Sequence, residues 1–271
     1  FLIFSLSKKK FGFFNFKYKT STKLVIDEEY TTIFDEISID TMASEIEIKS
    51  HNEEKVVLKI YGDKDKVELS TEEELNIKIS EKECKFFCFN QEISKIELYL
   101  PSSYENKIKI DNNFGDIKIG SFENAEAQIR LAAGDIKIDN IKKSNITNDY
   151  GDIKLTGKAD ELKITASAGD IGINEVKQID AENNYGDTKI SKVTEYLRID
   201  NDCGDIEIGE LNLTEDSDIT LDLGDIKIGK TNEIYIDAKT SLGDVKINNN
   251  YRKADVQLTI ENDCGDIKVE N

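Results

Sequence analysis

Residues 115–119 read Gly-Asp-Ile-Lys-Ile, and the block returns eight more times with small changes. The copies open at Gly115-Asp116, Gly134-Asp135, Gly151-Asp152, Gly169-Asp170, Gly186-Asp187, Gly204-Asp205, Gly224-Asp225, Gly243-Asp244 and Gly265-Asp266. The intervals are 19, 17, 18, 17, 18, 20, 19 and 22 residues. A period near 20 residues marks a repeat architecture, in which one unit cannot bury its apolar face alone and stacked units can.

Within each block the residues two and four after Gly are apolar, as in Ile117 and Ile119 or Ile226 and Ile228, and charged residues stand between them. That alternation predicts a half-buried strand. Six to ten residues on, a second alternating run follows: Ile129-Arg130-Leu131, Leu162-Lys163-Ile164, Leu197-Arg198-Ile199. Turn-forming pairs then lead to the next Gly, such as Asn148-Asp149, Asn183-Asn184, Asn201-Asp202 and Asn262-Asp263. The expected fold is all-β: a single-chain β-solenoid (β-helix) of about twelve stacked two-strand coils of ~19 residues, about 60 Å long.

Gly suits a corner where the backbone needs positive φ or close approach to the coil beneath. Asp in nine of nine blocks is harder to derive from packing. Stacked carboxylates about 4.8 Å apart repel by about 1 kcal/mol even in water. Lys two residues on in seven of nine copies (Lys118, Lys137, Lys154, Lys189, Lys227, Lys246 and Lys268) offers opposite charge on the same face. The bland reading is a soluble, charge-laced sheet. The sharper one is a Ca²⁺ ladder using Asp149 with Asp152, Asp202 with Asp205, Asp222 with Asp225 and Asp263 with Asp266. The G-G-x-G-x-D-x-U-x nonapeptide of calcium solenoids is absent, so no metal site is assigned.

The chain carries a formal charge of −19. Its first 26 residues hold six Lys and no acid, which leaves 30 basic against 55 acidic residues, or −25, in the rest. Such a body repels nucleic acid and anionic lipid. Of four cysteines, Cys203 and Cys264 stand just before Gly. Phe114, Ala133, Tyr150, Ala168, Tyr185, Leu223 and Leu242 hold that place in the other blocks. They read as small apolar fillers, three coils and roughly 14 Å apart, too far for a disulfide. Cys84 and Cys88 fit a local disulfide if their segment is a hairpin; zinc would need two further ligands, and the chain has one His.

Residues 1–32 form a basic, aromatic segment. Over residues 1–26, Phe11, Phe13, Phe14, Phe16 and Tyr18 interleave with Lys17 and Lys19, which suits a membrane surface or the tail of a longer anchor; the other reading is a lead strand that caps the solenoid. Residues 33–271 read as the solenoid: irregular coils over 33–110, where Ser44-Glu45-Ile46-Glu47-Ile48 resembles a decayed block, then regular Gly-Asp repeats over 111–271. A separate small β domain is the alternative for the irregular part. Pro101, the one proline, should sit in a turn. The last block, Gly265 to Val269, should form an open edge, either paired with a partner or protected by Asp266, Lys268 and Glu270.

No catalytic constellation stands out. His51 lies in a polar stretch, the three arginines (Arg130, Arg198, Arg252) fall in or beside second strands or in turns, and neither a P-loop nor G-x-G-x-x-G occurs. The repeated Gly-Asp-Ile-Lys-Ile, Ile37-Ser38-Ile39, and Ile96-Glu97-Leu98-Tyr99-Leu100-Pro101 before the regular repeats resemble a bacterial family of unknown function, whose members are described as "putative adhesins" with β-strand repeats. The resemblance covers residues 33 to 271. It implies a β-helix tethered by an N-terminal segment and facing outward, with some relatives beside envelope-stress sensing systems. The expected role is a non-enzymatic, adhesin-like envelope scaffold without cofactor. Its partner would be a protein or glycan along the sheet faces or at the C-terminal edge. The alternatives are an accessory of envelope-stress signalling, a carbohydrate-active enzyme on a β-helix, and a cytoplasmic location.

Overall fold

A computed structural model describes residues 19–80 and 92–270. The described residues contain no α-helix; Lys64–Lys66 is a short 3-10 turn and strands make up most of the rest. The chain is a β-solenoid. Ile117 lies beside Ile136, Ile136 beside Ile153 and Ile153 beside Ile171, all in parallel strands. The second strands stack the same way, Ile129 beside Ile146 and Ile146 beside Ile164. Each coil, or row, is named below by the residue at its Gly corner.

The alternation read from the blocks becomes the core. Ile117, Ile136, Ile153, Ile171, Ile206, Ile226 and Ile267 form one inward column, each no more than 2% exposed. Each such side chain contributes about 1.5–3 kcal/mol relative to exposure. Thr188 is the polar member of this column and is fully buried. Asn201 explains it: the Asn201 amide and the Thr188 hydroxyl bond each other across the interior at 3.0 and 3.2 Å.

The rows do not stack in sequence order. At the far end, Ser217–Leu223 pairs with Leu258–Cys264, which in turn pairs with Ile236–Leu242. Likewise Ile226–Ile228 pairs with Ile267–Val269, which pairs with Val245–Ile247. The Gly265 row is therefore inserted between the Gly224 and Gly243 rows. The near end mirrors this. Ile37–Thr41 lies between Leu75–Ile79 and Ile108–Asn112, and Ile46–Ile48 between Ile96–Leu98 and Ile117–Ile119. The spatial order is Ser94 row, Ser44 row, Gly115 row. Ser44 thus occupies a Gly position, and Ser94-Lys95-Ile96-Glu97-Leu98 is a further decayed block.

Two expectations need correction. The Gly265–Val269 block is not the open edge, because the Gly243 row covers it; the exposed edge is Tyr235–Leu242 with Val245–Ile247. Val245 is 42% exposed at a position buried in the other Gly rows, so the interior is uncovered there. Second, Cys203 and Cys264 flank Leu223 directly, two rows apart rather than three. At about 9.6 Å they remain beyond disulfide reach, and both are free thiols.

The near end is closed by antiparallel strands. Val57–Tyr61 runs antiparallel to Lys95–Tyr99, and Leu24–Tyr30 runs antiparallel to Val56–Tyr61. Lys19–Thr20 pairs with Glu92–Ile93. Residues 19–26 of the basic lead segment therefore belong to this cap; residues 1–18, and the pair Cys84 and Cys88, lie outside the described residues. Pro101 opens a turn in which its carbonyl accepts the Tyr104 N–H at 3.0 Å. The buried Tyr104 meets Phe122 edge-on and donates its hydroxyl to backbone carbonyls of Phe34 and Lys107.

Candidate binding face

The Gly corner sets the geometry of the face. Gly151 has φ of +132°, and a Cβ there would stand 2.1 Å from the carbonyl oxygen of Gly134 in the row below. Only Gly permits both the backbone angle and the contact.

Directly after the corner, the Asp column has a backbone task. Asp116 Oδ1 accepts the N–H of Asp135, Asp135 that of Asp152, Asp152 that of Asp170, and Asp170 that of Asp187, at 2.9 to 3.1 Å. The chain of acceptors continues through Asp187, Asp205, Asp225 and Asp266, and ends on the N–H of Asp244, which donates to Asp266. This follows the spatial row order, with Asp266 between Asp225 and Asp244. A charge-assisted bond of this kind contributes about 1.5–3 kcal/mol, enough to offset repulsion between stacked carboxylates. Burial pushes the Asp135 carboxyl above its ordinary 3.8; the Asp152 N–H opposes this, and the Asp116 and Asp152 carboxylates add to it.

The motif lysines do not neutralise the Asp column row by row. Lys137 stacks on Lys118 and Lys154. Lys189 does pair with its own block's Asp187, at 3.6 Å, but other motif lysines face acids outside the column: Lys118 near Glu45, Lys137 near Asp139 and Lys227 near Glu207, at 3.7 to 4.0 Å. Among the described residues, no group of three or more His, Cys, Asp or Glu is placed to hold a metal ion. The Asp pairs read as a Ca²⁺ ladder do not form such a group. His51 ends the strand Glu36–His51, its Nε2 2.8 Å from the Lys55 carbonyl oxygen. Arg130 sits 4.0 Å from Asp111, and Arg198 3.7 Å from Asp218, both on outer strand faces.

Three residues before Gly, the asparagines that read as turn formers are buried inside the coil. Asn148 Nδ2 donates to the carbonyls of Gly134 and Gly151, and Asn183 Nδ2 to those of Gly169 and Gly186. One amide thus satisfies two stacked corners, so alternate rows can carry Leu131, Ala166 or Leu221 instead.

The residue immediately before Gly stands outward at the corner. In spatial order the column reads Phe114, Ala133, Tyr150, Ala168, Tyr185, Cys203, Leu223, Cys264, Leu242. Large and small side chains alternate without exception. The large ones are exposed: Phe114 51%, Tyr150 62%, Tyr185 62%, Leu223 52% and Leu242 71%. The result is a straight ridge with a bulky side chain every second row, about 9.6 Å apart. Carboxylates flank it: the exposed Asp149, Asp202, Asp222 and Asp263 on one side, and on the other the Asp column, exposed except at the half-buried Asp116 and Asp187.

Comparison with known proteins agrees with this architecture. The family model of Toastrack DUF4097 matches residues 34–157, 106–191 and 157–271, and the chain belongs to that family. No curated protein matches the chain. Among solved structures, it resembles a "putative adhesin" from Bacteroides fragilis NCTC 9343, at 19% identity and a TM-score of 0.55, over 93% of this chain and 99% of that one. It also resembles a "putative adhesin" from Parabacteroides distasonis ATCC 8503, at 12% identity and a TM-score of 0.47, over 92% and 98%. Among the described residues, no helix is long and apolar enough to cross a membrane.

Proposed function

We propose that the protein is a non-enzymatic scaffold of the cell envelope that binds a partner along the ridge before the Gly corners. The observation that carries this reading is the alternation of exposed bulky and small side chains. Core packing does not require it, since these residues face outward, and solubility is served better by polar residues. A rigid in-register stack holds such side chains in a line without loop ordering, which lowers the entropy cost of engaging a long partner. The adhesin description of the Bacteroides fragilis protein with this fold is in keeping with a surface role. The acidic body speaks against nucleic acid as the partner.

The test is retention of the purified chain on isolated bacterial cell walls. Saturable retention that is lost in a Phe114→Ser, Tyr150→Ser, Tyr185→Ser triple variant is expected. Equal retention of the folded triple variant, or none by the native chain, overturns the reading.

A further inference from the structure

Resting on that reading, we infer that Phe114, Tyr150 and Tyr185 form a stacking platform for an extended, neutral β-1,4-linked glycan chain. Three aromatic rings stand in one line on alternate rows, separated by Ala133 and Ala168. Neighbouring rings are about 9.6 Å apart and the outer two about 19 Å, from a row spacing of about 4.8 Å. In an extended β-1,4 chain successive sugars turn opposite faces to one side, so one face recurs with every disaccharide, a repeat of about two rows. Each ring would meet the C–H face of every second sugar, through the attraction between a ring's negative face and polarised C–H groups. The alanines leave room for the sugars between.

The charges select the same class. Asp116, Asp135, Asp152 and Asp170 run beside the rings, each with one oxygen engaged by a backbone N–H. Their other oxygens are acceptors for hydroxyl or acetamido N–H donors, and Asp149 adds another carboxylate beside Tyr150. The same carboxylates repel polyanionic chains. A helical α-1,4 glycan does not present one sugar face in a straight line and should not engage three rings.

The experiment is calorimetric titration of the full chain with three hexamers: β-1,4-linked glucose, β-1,4-linked N-acetylglucosamine, and α-1,4-linked glucose as control. Binding of one or both β-1,4 hexamers and not of the control is expected; the stronger of the two identifies whether hydroxyl or acetamido groups are read. Tyr150→Ala should weaken binding about tenfold. A double variant, Ala168→Tyr with Tyr185→Ala, keeps three rings but breaks their spacing, and it should bind about tenfold more weakly as well. Native-like affinity in the double variant overturns the platform, as does absence of β-1,4 binding. If the hexamers fail while ridge-dependent wall retention persists, the partner is of another class and the binding face stands. If wall retention fails too, both readings fall.

Discussion

The carboxylate of Asp135 accepts the backbone N–H of Asp152, one row away, at 2.9 Å. This bond accounts for an acceptor side chain at the stacked corners, where it supplies what the strand ladder does not. Asp135→Ala should therefore cost about 1–2 kcal/mol, while Asp135→Asn, which keeps an acceptor and removes a repelling charge, should cost less. The sign with pH follows from the raised carboxyl. The folded chain holds this proton more tightly than the unfolded chain, so its contribution falls as pH rises above 3.8. Asp135→Asn should gain on the native protein across that interval in urea melts from pH 3 to 7. An advantage that shrinks as pH rises would refute the assignment.

Gly151→Ala should destabilise by about 2–4 kcal/mol, combining a left-handed angle with a clash against a backbone carbonyl that cannot yield. Thermal unfolding checks this; a melting temperature within experimental error of the native value would contradict the corner geometry.

Asn148 Oδ1 and Asn183 Oδ1 are buried and receive no hydrogen bond from the protein. Ala166 lies in register between them. At the near end Thr41, in register with Asn112, donates to Asn112 Oδ1 at 2.7 Å. Ala166→Ser should copy that donation and raise stability by about 0.5–1.5 kcal/mol. A lower urea midpoint would show the site has no room for the hydroxyl.

Glu47, Glu97, Lys49 and Lys95 form a closed square of ion pairs with distances of 2.9 to 3.5 Å across the first two rows. Burial pushes both carboxyls up, yet the lysine hydrogen bonds and charges outweigh it and hold them below their ordinary 4.5. Stability from the square is thus present above about pH 4.5 and lost as pH falls through the lowered values. Glu97→Gln should cost about 1–2 kcal/mol at pH 7 and flatten that acid loss. An unchanged slope in acid would remove the square from the stability account.

Row order makes its own prediction. Amide exchange should be faster in residues 237–247 than in residues 258–269, although the latter come later in sequence. The reverse ranking would mean that the rows stack in chain order.

Fold class was legible because nine near-identical blocks act as an internal alignment, with Ile117 and its counterparts marking the interior. The order of the end rows was not. The Gly224, Gly243 and Gly265 blocks are chemically alike, so any of them can stack on any other, and the choice rests on how residues 248–256 double back. Asn250 takes part in that reversal: its side chain bonds both the N–H and the carbonyl of Ile236, as a further strand would. The ridge was hidden for the same reason. Read along the chain, Leu223, Leu242 and Cys264 break the large–small alternation that Phe114 to Tyr185 begins; read through space they complete it. Asn148 and Asn183 misled because Asn is an ordinary turn former, and nothing local distinguishes a turn from a clamp on two inward carbonyls.

Insertion of the Gly265 row has a bearing on how the molecule is made. Residues 235–247 leave the ribosome before 257–269, the segment against which they pack in the finished fold, so that stretch is first free without its native neighbour. The native order beyond the Gly224 row can be completed only once synthesis supplies the missing tread. Residues 257–269 act as a keystone, and a chain stalled before them would carry an unlatched, strand-prone tail.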